Sequence, residues 1–406
     1  VRTKPRIGIV GGGIGGVALA GCLLQRGFEV RLFERAAGFG EIGAGIQMTP
    51  NAVKVIRTLG LLDRMLEAGF LPRALAGRNW RTARENFRTP LTDCQTLYDA
   101  PFIHIHRADL HSILASVVPD GIATFGVGCT GVRQDANGAV ATFDDGSEYE
   151  ADLIVGADGV RSAVRASLFG PEAPRFTGHM CYRAVVPVGG PVDFVAPEAS
   201  FWFGPKSHVV TYYVRGGKAV NIVAVAETSK WVEENWNAPS SRTELLNAFQ
   251  GWHRNVETLF QRVDTVYKWG LFDRDPMTGW SKGRVTLMGD AAHPMLPFLS
   301  QGAAMAIEDA YVLAASLDGH GHDVASALRD YERERLPRTS RVQLEARERG
   351  RTYHLPSPLA QAKRDLVYWL RGLINPQATG IQANWVYEYD ARKFRPAVAA
   401  TSELAA

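Results

Sequence analysis

Two groups of residues in this chain stand at spacings that suit chemistry. The first suits the holding of a diphosphate. Gly11, Gly13 and Gly16 form a G-x-G-x-x-G turn directly after the β-rich run Ile7-Gly8-Ile9-Val10 and before an apolar, helix-like run. Gly11 permits the tight bend, Gly13 lets the backbone approach a pyrophosphate, and Gly16 lets helix and strand pack closely. The helix start then aims unpaired N–H groups and the positive end of its dipole at the phosphates. A second β-rich run ends on Glu34, eighteen residues past Gly16, near the roughly 20 residues at which an acid bonds a ribose hydroxyl. The second group suits proton handling. His208 and Tyr212 lie four apart in Ser207-His208-Val209-Val210-Thr211-Tyr212. An even separation puts both on one face of a strand, and histidine exchanges a proton near neutral pH. The plain alternative is a His and a Tyr packed on a sheet. Tyr213 falls on the opposite face.

The elements that must position these groups follow from the chain around them. The 406 residues, 46% hydrophobic, fit one large α/β unit with an insertion, or two to three domains. The net charge of +3 and the absence of basic runs argue against nucleic acid as a partner. Cys22, Cys94, Cys129 and Cys181 are far apart and form no C-x-x-C, which reads as free thiols in a reducing compartment, with no metal. Arg2, Lys4 and Arg6 precede an apolar stretch, but the glycine turn interrupts it, so a signal peptide is not expected. With no run of 18 apolar residues elsewhere, the expectation is a cytoplasmic protein that engages no membrane.

In order, a glycine-dense loop spans Ala36–Gln47 and a helix opens at Pro50-Asn51. Strand-like texture fills residues 70–100, and a further helix follows His104–Asp109. Strands are expected at Thr124–Gly126, at Ala139–Phe143 before an Asp145-Gly146 turn, and at Ala151–Gly156 before Asp158-Gly159. From Gly178 to Trp269 strands dominate, with a hairpin turn at Arg215-Gly216-Gly217 and helical pattern only around Thr243–Phe249. Arg284–Asp290 is again a strand ending on glycine and acid. A helix spans Gly302–Leu317, and the chain from Tyr331 is charged and helical with a break at Leu355–Leu359. Asp158 and Asp290 could each equally cap a turn or a helix. His293 reads as a ligand contact or as a structural histidine bonded to backbone. A second G-x-G-x-x-G after a strand is missing, so a separate domain for a nicotinamide dinucleotide is not expected.

The glycine turn, Gly156-Ala157-Asp158-Gly159-Val160-Arg161-Ser162 and Gly289-Asp290-Ala291-Ala292-His293-Pro294 together resemble the single-component FAD-dependent aromatic hydroxylases, up to about residue 340. Flanking residues look like the salicylate, 3-hydroxybenzoate and 6-hydroxynicotinate branch. The resemblance implies an α/β fold: a Rossmann-type FAD-binding domain (1–177 and 276–335, with some strands near 70–105 joining the substrate-side sheet), an inserted β-sheet substrate domain (178–275) and C-terminal helices (336–406). It implies FAD as cofactor, NADH or NADPH as co-substrate, and dioxygen. The reaction would hydroxylate a phenolic or heteroaromatic acid through a flavin hydroperoxide. The alternatives are a purine, alkene or natural-product substrate, or a non-catalytic FAD-binding protein. It places Gly11, Gly13, Gly15, Gly16, Glu34, Arg35, Gly45, Arg107, Cys129, Asp158, Asp290, Gly302 and Ala303 at the cofactor. It makes His208 and Tyr212 substrate contacts, with the tyrosine as proton acceptor, and adds Gln47 as a hydrogen-bond donor where a relative has histidine. Phe298 stands where relatives carry a histidine, which implies less proton chemistry on that side. Arg183 is a conceivable partner for a substrate carboxylate. A monomer or homodimer is expected.

Overall fold

The computed structural model describes residues 4–40, 43–190, 192–228, 238–375 and 384–397. Arg2, and Glu41 and Ile42 of the glycine-dense loop, lie outside the described residues. The strand Arg6–Val10 enters the helix Ile14–Leu24, which crosses to the parallel strand Glu29–Glu34. This crossover sits in a five-stranded parallel sheet, in the order Val285–Leu287, Leu153–Gly156, Arg6–Val10, Glu29–Glu34, Ala123–Phe125. Arg6–Val10, Leu153–Gly156 and Val285–Leu287 are almost wholly buried because both faces are covered there; Ile7, Ile9, Leu153, Val285 and Leu287 are fully buried. Glu29–Glu34 alternates instead, with Glu29 and Arg31 exposed. A three-stranded antiparallel sheet (Cys129–Gln134, Ala139–Phe143, Glu148–Ala151) packs beside it, with the Phe33 ring 4.6 Å from Phe143 and 5.0 Å from Tyr149.

The second large element is an eight-stranded sheet. Its order is Ala238–Ser240, Val266–Asp273, Arg175–Pro187, Ala219–Glu227, Ser207–Val214, Ala199–Gly204, Ala74–Asn79, Glu85–Pro90. Every pairing is antiparallel except Ala74–Asn79 alongside Ala199–Gly204. The hairpin at Arg215–Gly217 is present, with Gly216 at φ +62°. One face packs towards the nucleotide-binding sheet. The other is covered by two helices, Arg242–Ala248 and Arg254–Gln261, through Leu245, Val256, Leu259 and Phe260. The second of these helices departs from the expectation of a single helical stretch. So does the short helix Cys94–Tyr98, which stands in a region read as strand. Ile103–His106 pairs with Gly45–Met48 in a separate two-stranded ladder.

Three long helices follow, Gly302–His320, Val324–Tyr353 and Pro358–Ile374, and after them a short helix, Asn384–Glu388. The first is pinned by buried charge. Glu308 accepts from Arg335 and Arg338, and Asp309 accepts from Arg335 at 2.8 Å; both carboxylates are fully buried. Buried carboxylates persist only when paired in this way. No helix among the described residues is long and apolar enough to cross a membrane.

Candidate active site

The glycine turn behaves as its spacing demands. A Cβ at Gly16 would sit 1.9 Å from the Gly11 carbonyl oxygen, and one at Gly11 (φ +107°) 2.3 Å from that of Ala157. At Gly13 it would meet nothing within 4 Å, so this backbone faces open space. The helix beginning there has no side-chain cap and no acid in its first turn. Its orphan N–H groups are therefore free to receive phosphate. Gly15 instead faces the helix Gly302–His320, at Ala306. Glu34 closes one side of the turn: Gly12 N–H donates to its Oε2 at 2.7 Å, and Ala36 N–H to its Oε1 at 2.8 Å. Arg35 follows, exposed.

Asp290 lies on the far side of this crevice. Its side chain is exposed, yet protein walls it in: desolvation pushes its carboxyl above the usual range, with His293, Arg107 and Arg274 opposing. Water access combined with desolvation marks a residue that lines a deep cleft. Arg107 is likewise exposed and starts the helix Arg107–Ala115. Gly302 opens its own helix beside Asp290, again with no side-chain cap, and Ala303 follows it. Asp158 is differently engaged. It accepts from the Ser162 hydroxyl at 2.5 Å and from Val164 N–H at 3.2 Å, and so supports Ser162, the N-cap of the helix Ala163–Phe169. Cys129 is near enough for Asp158 to act on its thiol, which burial raises to about 11.

The eight-stranded sheet supplies the floor. Across three strands its inner face reads His208, Val225, Cys181 in one row and Val210, Val223, Arg183 in the next, with Tyr212 and Asn221 beyond. His208 and Tyr212 thus share a face, separated by about 13 Å of strand at ~3.3 Å per residue. Both are buried; Tyr213 is buried on the opposite side. Burial raises the Tyr212 hydroxyl to about 12 against the opposing pull of the positive charge of Arg183. Burial lowers His208 to about 3, with His179 adding to the effect, so His208 is a neutral imidazole. Phe298 packs 5.5 Å from the His208 ring and makes that wall apolar. Arg183 donates to the Gly45 carbonyl and lies over the Trp269 ring, while its Nε has no partner.

Gly45 joins the two halves. Its N–H donates to Asn221 Oδ1 at 2.6 Å, and a Cβ there would strike Asn221 at 2.6 Å and Tyr212 at 2.8 Å. Only glycine lets this strand lie directly on the floor. Gln47, buried two residues on, stands across from His104. The structure thus gathers Gln47, Tyr212, Arg183 and Gly45, and places His208 farther along the same floor.

His293 departs from the backbone-bonded reading offered for it. Its Nε2 contacts Asp309 Oδ2 at 2.5 Å inside the buried charge network, so its partner is a carboxylate and not backbone. Several residues were missed. His104 is fully buried with both ring nitrogens unpartnered, 4.5 Å from the Tyr212 ring, and desolvation lowers it to about 3. His111 places a ring nitrogen 2.6 Å from the Gly12 carbonyl; its position four after Arg107 was the signal available. His354 reaches His208 from 146 residues away, and no local pattern announces it.

A family model described as an FAD binding domain matches residues 4–346. The chain is 42% identical over 364 residues to 3-amino-4-hydroxybenzoate 2-monooxygenase from Streptomyces platensis, covering 89% of this chain and 92% of that protein. It is 40% identical over 353 residues to 6-hydroxynicotinate 3-monooxygenase from Pseudomonas fluorescens, covering 84% and 90%. Its structure is similar to that of HpxO from Klebsiella pneumoniae complexed with FAD and uric acid, at TM-score 0.83 and 27% identity, covering 93% and 96%.

Proposed function

The chain belongs to the FAD binding domain family, as an FAD-dependent aromatic monooxygenase with NAD(P)H as co-substrate, and we propose that its substrate is a small aromatic acid carrying a ring hydroxyl. The observation that carries this reading is the buried floor on which His208, Tyr212 and Arg183 share one face. An aromatic acid needs an apolar bed, a cation for its carboxylate and a neutral proton acceptor for its hydroxyl.

The cofactor fits the residues present. The open space at Gly13 and the uncapped helix start suit a diphosphate. Gly11, Gly15 and Gly16 shape that turn, while Glu34 and Arg35 would hold the ribose and adenine end. Arg107 and Asp290 would take the middle of the molecule, with Asp158 and Cys129 on its flank. Gly45, Gly302 and Ala303 would frame the ring. When bound, FAD supplies the redox chemistry: it takes a hydride from NAD(P)H and delivers one oxygen atom of dioxygen to the substrate.

The protein's part is orientation, water exclusion and proton handling. Arg183, with its unpartnered Nε, would hold the carboxylate. His208, neutral and buried, would accept the proton of the ring hydroxyl, making the ring carbon more nucleophilic. Tyr212 would orient the ring, and Gln47 would donate a hydrogen bond from the opposite side. Phe298, 5.5 Å from the His208 ring, would make that side apolar.

The test is a panel of 3-amino-4-hydroxybenzoate, hydroxybenzoates and 6-hydroxynicotinate, scored by substrate-stimulated NAD(P)H oxidation with product identification. No hydroxylated product from any phenolic acid sinks the reading. Uric acid belongs in the panel, because the HpxO complex favours a purine as the second reading; turnover of urate alone would select it.

A further inference from the structure

The helix Val324–Tyr353 delivers its last turn to the substrate floor, and its C-cap residue His354 has no part in the chemistry above. His354 is buried, and its Nε2 lies 2.8 Å from Nδ1 of His208. Around the pair stand Phe298, 5.5 Å from the His208 ring and 5.4 Å from the His354 ring, and Tyr353, 5.3 Å from His208. His179 lies 4.4 Å from His354 in a tilted ring contact. His354 is the only hydrogen-bond partner of the His208 ring among the described residues.

Two facing imidazole nitrogens at this distance hold one proton between them; one donates and the other accepts. Both rings are neutral. Burial lowers His208 to about 3, and burial with His208 and His179 nearby lowers His354 well below the ordinary histidine value. The far side of His354 does not fix the direction of the shared bond: its Nδ1 has no partner, and the Gly350 carbonyl, one turn back, accepts the backbone N–H of His354 at 3.2 Å. The near side does. Nδ1 of His208 is engaged by His354, so Nε2 is the nitrogen left to meet a substrate. A nitrogen that takes a proton must be bare, so the shared proton belongs to Nδ1 of His208, and Nε2 of His354 accepts it.

We propose that His354 is the positioning residue that holds His208 in its Nδ1–H form, leaving Nε2 of His208 as a bare acceptor for the substrate's hydroxyl proton. The inference rests on the hydroxylase reading, which assigns that work to Nε2. In the step, the substrate O–H bond breaks and its electron pair stays on oxygen. The proton joins Nε2 of His208, and the imidazolium so formed keeps its Nδ1–H bond to His354, balanced by the adjacent phenolate. A hydrogen-bonded orienting group behind a histidine is a general way to fix which nitrogen works.

The test uses the full-length, FAD-loaded enzyme with 15N-labelled histidine, His208 being assigned by the signal lost in His208→Gln. In the wild type the protonated nitrogen of His208 is expected to be Nδ1. In His354→Phe, which keeps the ring but not the bond, the population moves towards Nε2–H. With the best substrate of the panel, His354→Phe lowers kcat about tenfold, the low end for a misplaced acid–base group, while KM changes less than about twofold. His354→Gln, whose carboxamide oxygen can accept from Nδ1–H, recovers most of the loss. Nε2–H as the wild-type form overturns the proposal, as does an unchanged tautomer and kcat in His354→Phe. Should that variant fail to fold, the wild-type spectrum decides alone. An enzyme inactive on every aromatic acid, yet showing the Nδ1–H form, would defeat the hydroxylase reading and leave the positioning role standing.

Discussion

Two single-methyl substitutions in one turn should separate folding from cofactor binding. At Gly16, an added Cβ would lie 1.9 Å from the Gly11 carbonyl oxygen and 3.0 Å from its carbon. That partner is backbone in a tight turn and has no rotamer to yield. Gly16→Ala must therefore push helix from strand, and overpacking of this kind costs about 1–3 kcal/mol, or more where backbone must move. At Gly13 the residue sits at φ −70°, ψ −176°, which alanine adopts freely, and nothing lies within 4 Å. The entropy gained from a less flexible unfolded chain, about 0.4–1 kcal/mol, roughly offsets the loss of glycine at an N-cap. Gly13→Ala should leave the FAD-free protein within about 0.5 kcal/mol of wild type. The same methyl group occupies the space a diphosphate must enter. A loss of at least about 1.4 kcal/mol, tenfold in Kd, is expected for FAD. Urea unfolding of FAD-stripped protein gives the first quantity, and flavin fluorescence quenching gives the second. Wild-type FAD affinity in Gly13→Ala would refute the assignment of that space to the phosphates. Wild-type stability in Gly16→Ala would refute the contact.

His104 and His208 are both held neutral, at about 3 against 6.5 when exposed. The unfolded chain binds the extra protons first, so stability is complete above pH 6.5 and falls as pH drops towards 3; at pH 5 the loss is about 2 kcal/mol per histidine. Urea midpoints of the substrate-free holoenzyme at pH 7.5 and pH 5 measure it, and equal midpoints contradict it. Tyr212→Phe should slow hydroxylation more than it weakens FAD binding. Tyr213→Phe should instead leave turnover intact and cost about 1–2 kcal/mol of stability, because the Tyr213 hydroxyl accepts from Val192 N–H at 2.8 Å and donates to the Val195 carbonyl at 3.0 Å. Calorimetry and steady-state rates on both variants distinguish the two faces. Asp309→Asn strips the buried charge opposite Arg335 and His293, and about 3–5 kcal/mol should be lost; a melting temperature within two degrees of wild type would disprove it.

The crossover was legible because everything it needs is local: strand, turn, helix, strand and acid within thirty residues, all satisfied by their own neighbours. The shared face of His208 and Tyr212 was legible for the same reason, since the period of a strand fixes it. Arg254–Gln261 carried a signal that went unread: Val256, Leu259 and Phe260 fall at helical spacing between two strand runs. Asp158 and Asp290 show where local pattern stops. Each follows a strand and neighbours glycine, yet Ser162 sits four residues after Asp158 and engages it, while Asp290 opens to the crevice. His354 had no local sign at all, because its meaning comes from a partner 146 residues away. Phe298 bears on the same point: a histidine expected from related sequences is replaced there by a hydrocarbon wall, and the neighbouring ring nitrogen arrives instead from the C-terminal helix.

The parallel seam between Ala74–Asn79 and Ala199–Gly204 has a practical meaning for anyone dividing this protein. Those two segments are more than a hundred positions apart, so the eight-stranded sheet is complete only after both have been synthesised and have found each other. A fragment beginning near 178 would present Ala199–Gly204 as a naked, apolar margin ready to pair with another molecule. Excised on its own, such a piece is expected to precipitate, and any transplant of this pocket into another scaffold must carry residues 74–90 with it.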